Sequence, residues 1–540
     1  MANEADKIES RNFAREYVSN FLENEPIPGI KKENEYVKEF VPQITLEEIN
    51  ALAKKWITDK NMALLVLVKD AEGVKIPEEQ KLLDIVKASK TKIYEAYVDE
   101  ANDEPLMAAK PKTGTVVSKT ENKDFGITEI TFANNVKVIL KPTDFKNDEI
   151  LFTAFAPGGT SVYADNEFLA ASYMSNVINQ SGFGNFDNIA LTKKLAGNTA
   201  KLRVTMSDLE QGLSGSSSPK DFETLLQMNF QYFTSARKDD KAFQTFVSGM
   251  ENQIKFMSAS PEMAFYDKLV KVTSSNNPRA FIFPPVEELK ALTIDQVYNV
   301  YEKAFKNATD FTFVIVGNID LEKVLPLIET YIGGLPTSID KRNWVERKVE
   351  FPKGLTDETV FKGKEDKSSV AMVFHGTTKW DDKNYLTAKL LMKTLSIKLR
   401  ESMREEQGGV YGVRSSINID KLPNTEFDIN ISWGCAPVNV DKLVNTVLGE
   451  MKKIVDNGPT DIDIEKAKET FINERETDVK ENNFWLNYIK SRTFNGDNLL
   501  SFEGYKAIIK SVTKKDLQNA AKNYFTPKHF VKVVLKPEKE

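Results

Sequence analysis

The chain is poor in the side chains that bind zinc most readily. Its 540 residues include only two histidines, His375 and His529, and one cysteine, Cys435. A single cysteine excludes an intrachain disulfide and a thiolate metal cluster, and its neighbours in SWGCAPVN predict a packed free thiol. Neither histidine has a potential metal ligand at helical spacing. Because both fall in predicted strands of the last domain, we expect both to be structural.

Long apolar runs and an excess of basic residues are also absent. No apolar stretch approaches the roughly 20 residues of a membrane span, and the polar N-terminal sequence MANEADKIESRNFAREY does not resemble a secretory signal. Lys and Arg number 73 against 79 Asp and Glu, for a net charge of −6. We therefore expect a soluble chain that binds no nucleic acid and spans no membrane. The compartment stays open, and a secreted or periplasmic parent protein is compatible with the sequence.

One pattern does occur, in three copies. Thr45, Thr293 and Thr513 each precede an amphipathic helix with an acid or amide three residues on, and a β-branched run follows each helix. This pattern is typical of a helix with a capping box that leads into a strand. The copies begin about 220 to 250 residues apart, so the repeating unit is a whole domain and not a solenoid repeat. If each copy closes a domain, the first domain lacks most of its body.

The repeat and the composition between its copies predict two complete domains and a remnant. The predicted parts are a C-terminal remnant of a preceding homologous domain (1–98), a linker (99–123), a complete domain (124–335), a second linker (336–360) and a final domain (361–540). The Asn134-Asn135 pair between two alternating runs predicts a hairpin. Strands joined by hairpins and grouped with helices predict an α+β fold of mainly antiparallel sheets with packed helices.

The strongest local motif is RESMREEQGGVYGVRSSINI, residues 400–419. Apolar residues at steps of four ahead of it predict a packed helix, Gly408-Gly409 predicts its end, and a strand is predicted from Val410-Tyr411. A tight reversal there would bring Arg404 and Tyr411 onto one surface. A guanidinium and a phenol together can hold a peptide carbonyl or stabilise oxyanion charge. Alternatively, Arg404 only complements the helix dipole and Tyr411 only packs.

The stretch LRESMREEQGGVYG resembles the C-terminal arginine–tyrosine motif of the pitrilysin/insulinase-type zinc peptidases, whose catalytic half carries an H-x-x-E-H signature. The hairpin ITFANNVKVIL, the PGGTS that follows it and the repeated capped helix are also similar to that family. The resemblance covers essentially the whole chain. It implies four homologous α+β domains in two halves around a chamber, with this chain as the C-terminal half. It also implies that Arg404 and Tyr411 form a substrate-binding pair.

The same resemblance implies where a zinc helix would lie. In EFLAASYMSNVINQSG it aligns Ser172, Ser175 and Asn176 with the His, Glu and His positions, and Glu251 falls near the position of the third ligand. Hydroxyls and a neutral amide are poor zinc ligands, and no carboxylate remains as a general base. We expect Glu251 to be an ordinary helix-surface or salt-bridge residue. The chain is therefore expected to hold no metal and no catalytic residue.

The leading hypothesis is a non-catalytic C-terminal half, or subunit, of a zinc-dependent endopeptidase that closes the cleavage chamber and binds an extended peptide. Its expected partners are the catalytic N-terminal half, which would hold the zinc, and the peptide substrate. The alternative is a proteolytically inactive scaffold or interaction protein of the same fold. A third interpretation is a self-sufficient hydrolase that uses Glu251 and His375.

Overall fold

The computed structural model describes residues 2–58, 60–68, 73–95, 104–338, 341–405, 410, 412–526 and 529–538. The chain divides into two units, Met1–Asn102 and Asp103–Glu540. The division falls inside the predicted linker 99–123.

The first unit has helices but no core. Within its described residues the α-helices are α1 (Ser10–Glu23), α2 (Ile30–Phe40), α3 (Leu46–Trp56) and α4 (Glu79–Thr91). A complete capping box begins α3: the Glu48 amide donates to the Thr45 hydroxyl, and the Thr45 amide donates to the Glu48 carboxylate at 2.8 Å. No described residue of this unit is buried, and residues 62–68, which follow α3, pair with no strand in the described part of the chain.

The second unit begins with a seven-stranded sheet. Among the described residues its strands are β1 (Val116–Asn122), β2 (Ile127–Phe132), β3 (Lys137–Pro142), β4 (Ile150–Pro157), β5 (Lys201–Met206), β6 (Glu210–Ser217) and β7 (Thr312–Gly317). The spatial order is β1-β2-β3-β7-β4-β6-β5. Only β3 and β7 are parallel among these neighbours.

Helices cover one face of this sheet and enclose an aromatic core. They are α5 (Asp165–Ser181), α6 (Asn188–Lys194), α7 (Phe222–Thr234), α8 (Asp240–Met257), α10 (Val286–Ala291), α11 (Ile294–Phe305) and α12 (Leu321–Tyr331). Helix α9 (Pro261–Thr273), which follows α8 in the chain, packs elsewhere. Phe233 of α7 packs edge-on against Phe311, with ring centroids 4.9 Å apart, and both rings are fully buried. Such aromatic burial is a main stabilising contribution in a core of this kind.

A five-stranded sheet forms the rest of the second unit. In the described chain its strands are β8 (Leu355–Phe361), β9 (Ser368–Thr377), β10 (Val413–Asp420), β11 (Glu426–Cys435) and β12 (Phe530–Lys536), in the order β10-β11-β9-β12-β8. Only β12 and β8 are parallel among these neighbours. The helices are α13 (Asp382–Arg400), α14 (Val440–Asn457), α15 (Asp461–Asp478), α16 (Asn482–Asn495), α17 (Phe502–Ser511) and α18 (Lys514–Tyr524). The predicted α+β class with mainly antiparallel sheets is confirmed.

The repeated pattern has the same structure in both complete domains. Thr293 and Thr513 close capping boxes on α11 and α18, with Thr amides donating at 2.9 Å to Gln296 and Asp516. The strands that follow, β7 and β12, each lie between one parallel and one antiparallel neighbour. The predicted capped helix is confirmed in all three copies, whereas the strand is paired in the second and third copies.

Each domain of the second unit lends a helix to the sheet of the other. Leu486 and Ile489 of α16 pack on β4 and β7, whereas Phe265 and Val272 of α9 pack on the face of β9 and β12. A sheet with helices on one face leaves its other face apolar unless something covers it. The exchange therefore buries both outer faces at once.

Both predicted linkers contain a strand that the sequence pattern did not predict. Residues 116–122 of linker 99–123 form β1, and residues 355–361, at the end of linker 336–360, form β8. Each is the outermost strand of its sheet and is largely exposed. Because an edge strand tolerates charged residues, its sequence lacks the regular alternation of apolar and polar residues that predicts a strand. The domain boundaries otherwise stay a prediction. No helix in the described part of the chain is long and apolar enough to cross a membrane.

Candidate functional site

Arg404 lies just beyond the C-terminal end of α13. The predicted stripe on this helix is confirmed, because Leu391, Leu395, Leu399 and Met403 are all fully buried. After Arg400 the helix continues as a single π turn, Glu401–Glu405. Such turns frequently occur at functional sites. The Arg404 side chain is exposed on this turn.

The partner predicted for Arg404 is not among the described residues. Tyr411 and Gly408-Gly409 lie outside them, so the pairing of Arg404 with Tyr411 stays a prediction. The strand predicted from Val410-Tyr411 begins later, at Val413, where β10 first pairs with β11. Val410 is buried without joining the ladder, because its side chain packs into the core of the final domain.

The residues aligned with the zinc signature lie on α5, which packs against α8 through Tyr173. The Ser172 hydroxyl donates to the Phe168 carbonyl one turn back at 2.9 Å, Ser175 is half-buried and Asn176 is exposed. Two hydroxyls and an amide do not fit a zinc site. Within the described ranges, no group of three or more His, Cys, Asp or Glu residues is placed to hold a metal ion.

Glu251 lies on α8 and contacts two lysines. Its carboxylate is 2.6 Å from the ammonium of Lys255 and 3.4 Å from that of Lys290. The hydrogen bond from Lys255, with further help from Lys290, holds the pKa of Glu251 below its usual range. The side chain is therefore anionic and engaged with surface cations at neutral pH.

The two histidines and the cysteine lie in the final domain. His375 is in β9, as predicted, with its ring stacked on Phe351 at 4.2 Å and its Nε2 3.2 Å from the Pro352 carbonyl oxygen. Burial lowers the pKa of His375, and the nearby His529 lowers it further. His529 was expected inside a strand but precedes β12 by one residue. Cys435 is a buried free thiol, as predicted.

A cavity of about 690 Å³ opens between the two domains of the second unit. The β5–β6 hairpin lines one side, and α13, α15, α16 and the end of β10 line the other. The sequence does not reveal this cavity, because the residues that line it come from distant segments of the chain. The one local signal is the aromatic pair Phe484 and Tyr488, spaced four apart on α16, whose rings are stacked 5.2 Å apart.

Comparison with known proteins shows which family part of the chain resembles. Residues 291–471 match the model of the peptidase M16 inactive domain. The matched residues make up about a third of the chain. This match includes the motif LRESMREEQGGVYG at residues 399–412, and it confirms the resemblance to the family at that motif.

Curated relatives of this chain are zinc proteases by name. The zinc protease PQQL-like of Arabidopsis thaliana is 25% identical over 519 residues, covering 92% of this chain and 51% of the relative. The chain spans about half the length of the curated relatives it matches.

Solved structures share the fold of this chain. The periplasmic protease PqqL from Escherichia coli superposes with a TM-score of 0.71 at 18% identity, over 99% of this chain and 59% of that one. A peptidase M16 inactive domain from Pseudomonas fluorescens gives a TM-score of 0.62 at 15% identity, over 77% of this chain and 98% of that one.

Proposed function

We infer that this chain is the non-catalytic C-terminal half of a zinc-dependent endopeptidase. In this role it joins a catalytic half, closes the cleavage chamber and binds the extended peptide substrate. The observation that carries the proposal is the match of residues 291–471 to a peptidase M16 inactive domain. It is supported by Ser172, Ser175 and Asn176, which stand where the resemblance places the zinc signature. The catalytic half supplies the zinc, which activates water for attack on the peptide bond.

Arg404 and Tyr411 are the proposed contacts to the peptide. The exposed guanidinium of Arg404 carries five N–H donors in a planar fork, which suits carbonyl oxygens of an extended backbone. A phenol at Tyr411 adds one donor for the same group. Binding contacts of this kind orient the scissile bond, and no proton transfer is assigned to either residue.

The first unit supports the need for a partner. Its α3 and residues 62–68 correspond to α11–β7 and α18–β12, in which the strand has a neighbour on both sides. Within the described chain, residues 62–68 have no neighbouring strand, and Leu65 and Leu67 are 82% and 87% exposed. Unpaired apolar strands readily pair with another polypeptide. We expect the catalytic half to supply one parallel and one antiparallel strand to this segment.

Mixing the purified chain with a family polypeptide that carries H-x-x-E-H tests the proposal. We expect a stable complex by size-exclusion chromatography and zinc-dependent peptide cleavage that neither part shows alone. Arg404→Ala or Tyr411→Phe should lower kcat/KM about tenfold or more, since each removes a hydrogen bond to the bound peptide. Arg400→Ala, which removes an exposed arginine one turn earlier on α13, is the matched control and should retain activity.

Other outcomes separate the alternatives. A complex that forms but stays inert would favour the scaffold interpretation. Leu67→Lys should abolish association without changing the fold of the free chain, because Leu67 is exposed there. If Leu67→Lys associates normally, the proposed strand pairing is wrong.

A further inference from the structure

The cavity between the two domains of the second unit has the size of a ligand site. Its volume of about 690 Å³ lies within the roughly 300 to 1,000 Å³ of small-ligand pockets. It opens between separate elements of two domains, where binding sites often occur. The charges on its walls indicate what it binds.

Three of the four basic side chains on its walls are neutralised. Lys421 is 2.7 Å from the carboxylate of Asp497, and Arg492 is 2.5 Å from that of Asp382. Lys490 pairs across the cavity mouth with Glu210 of the β5–β6 hairpin. These pairs connect the walls and leave little charge for a ligand.

The fourth basic side chain, Arg475 on α15, is different. Among the described residues, no carboxylate lies within ion-pair distance of its guanidinium and no hydrogen bond engages its side chain. Three aromatic rings surround it instead, with the guanidinium carbon 4.2 Å from the ring centre of Tyr505, 4.8 Å from that of Phe484 and 5.6 Å from that of Tyr488. Stacking holds a guanidinium in position while its in-plane N–H donors stay available. The guanidinium of Arg475 is therefore held in position as a bidentate hydrogen-bond donor, and it has no acceptor among the described residues.

The acidic side chains on the walls limit which anion fits. Asp381 caps α13 by accepting from the Asn384 amide at 2.8 Å, and Asp208 accepts from the Thr160 hydroxyl at 3.3 Å. The carboxylate of Asp420 accepts no hydrogen bond within the described chain; burial raises its pKa, and the positive charge of Lys389 partly offsets that effect. A carboxylate in the cavity without a hydrogen-bond donor disfavours dianions and tolerates a ligand with one negative charge.

We propose that this cavity binds a peptide carboxylate, with Arg475 as its bidentate donor. A guanidinium and a carboxylate form two parallel charge-assisted hydrogen bonds, whereas the surrounding rings suit the apolar part of a peptide. The carboxylate belongs either to an acidic side chain or to a peptide C-terminus. Arg404 is not among the residues that line this cavity, and occupation of the cavity does not depend on zinc or on a catalytic half.

Titration calorimetry on the full 540-residue chain tests the site with four probes. Three are peptides of one sequence: with a free C-terminus, with an amidated C-terminus, and amidated with one internal Glu. The fourth is inorganic phosphate. We expect at least one carboxylate peptide to bind, the neutral peptide to bind about tenfold more weakly or worse, and phosphate not to compete. The free-acid and internal-Glu probes distinguish the two sources of the carboxylate.

Two variants connect binding to the cavity. Arg475→Gln should weaken carboxylate binding about tenfold or more, and Arg475→Lys should restore it only in part, because an ammonium cannot form the fork. Asp420→Asn should tighten binding, since it removes a negative charge from the same cavity. Arg400→Gln is the matched control, and circular dichroism checks that each variant folds. Equal binding of neutral and carboxylate peptides, no binding of any, or unchanged binding by both Arg475→Gln and Asp420→Asn would overturn the proposal.

Discussion

At the scale of single residues, Asp221 shows how one carboxylate organises a junction. It precedes α7, is 8% exposed, and accepts hydrogen bonds from the Thr199 hydroxyl at 2.6 Å, the Thr199 amide at 2.9 Å and the Ser218 hydroxyl at 3.0 Å. Burial raises the pKa of Asp221, but these hydrogen bonds outweigh it and hold the pKa below its usual range. The charged carboxylate therefore ties the start of β5 and the end of β6 to the first turn of α7.

Asp221→Asn should make stability less dependent on pH. A carboxyl group whose pKa is depressed in the folded state stabilises it above the unfolded pKa of about 3.9, and this stabilisation is lost as the pH falls through the folded value. We expect the variant to lose about 1 to 3 kcal/mol of unfolding free energy at pH 7. Below about pH 4 its deficit should shrink, because the wild type loses the same contribution.

Urea unfolding of the wild type and of the Asp221→Asn variant, at pH 7 and at pH 3, measures the loss of unfolding free energy at each pH. The control is Asp124→Asn, which changes an exposed acid between β1 and β2 and should have little effect at either pH. An Asp221→Asn deficit that stays constant across this pH range would contradict the assignment.

At the scale of elements, the three capping boxes provide an internal comparison. All three have the same hydrogen bonds, yet α18 carries buried residues such as Leu517 and Tyr524, whereas α3 has none. A cap stabilises a fold only where its helix is part of that fold. The capping box of α18 should therefore contribute to the free energy of unfolding, whereas that of α3 should not.

Thr513→Ala should lower the unfolding free energy of the second unit by about 1 kcal/mol, because α18 loses its N-cap. Thr45→Ala should leave that transition unchanged in the free chain. Thermal unfolding of both variants, followed by tryptophan fluorescence, makes the comparison. Equal losses in the two variants would show that α3 already belongs to the same cooperative unit.

Local signals account for what could be predicted among the elements. The capped helices and the hairpin at Asn134-Asn135, where Asn135 has a φ of 65°, depend on neighbours in sequence. The edge strands β1 and β8 and the π turn at Arg404 depend on partners distant in sequence or on helix strain. The residues of these two strands and of this turn do not by themselves predict the structure that they form.

At the scale of the whole molecule, α9 and α16 couple the two domains of the second unit. The repeat predicted two similar domains, but it gave no indication that each covers the outer sheet face of the other. The cavity with Arg475 could not be predicted for the same reason, since its walls come from separate segments between residues 207 and 505. The sequence pattern within one domain does not indicate how that domain packs against the other.

Ile489→Ala should destabilise both domains together. Ile489 is 1% exposed on α16 and packs against the seven-stranded sheet, so truncation costs about 2 to 5 kcal/mol. We expect one transition at lower urea, with fluorescence and circular dichroism coincident. Ile189→Ala, at a residue 68% exposed, is the control and should change little. A biphasic curve for the Ile489 variant would mean that the domains unfold separately.

Residues 62–68 also affect how this chain behaves in storage and in the cell. The segment MALLVLV contains no charge, proline or glycine, and short uncharged β-prone segments of this kind are the ones that stack into fibrils. In the proposed complex the catalytic half covers this segment, so we expect the solubility of the free chain to depend on its concentration and on the time it spends alone. Synthesis of the chain together with that proposed partner should then protect it from aggregation.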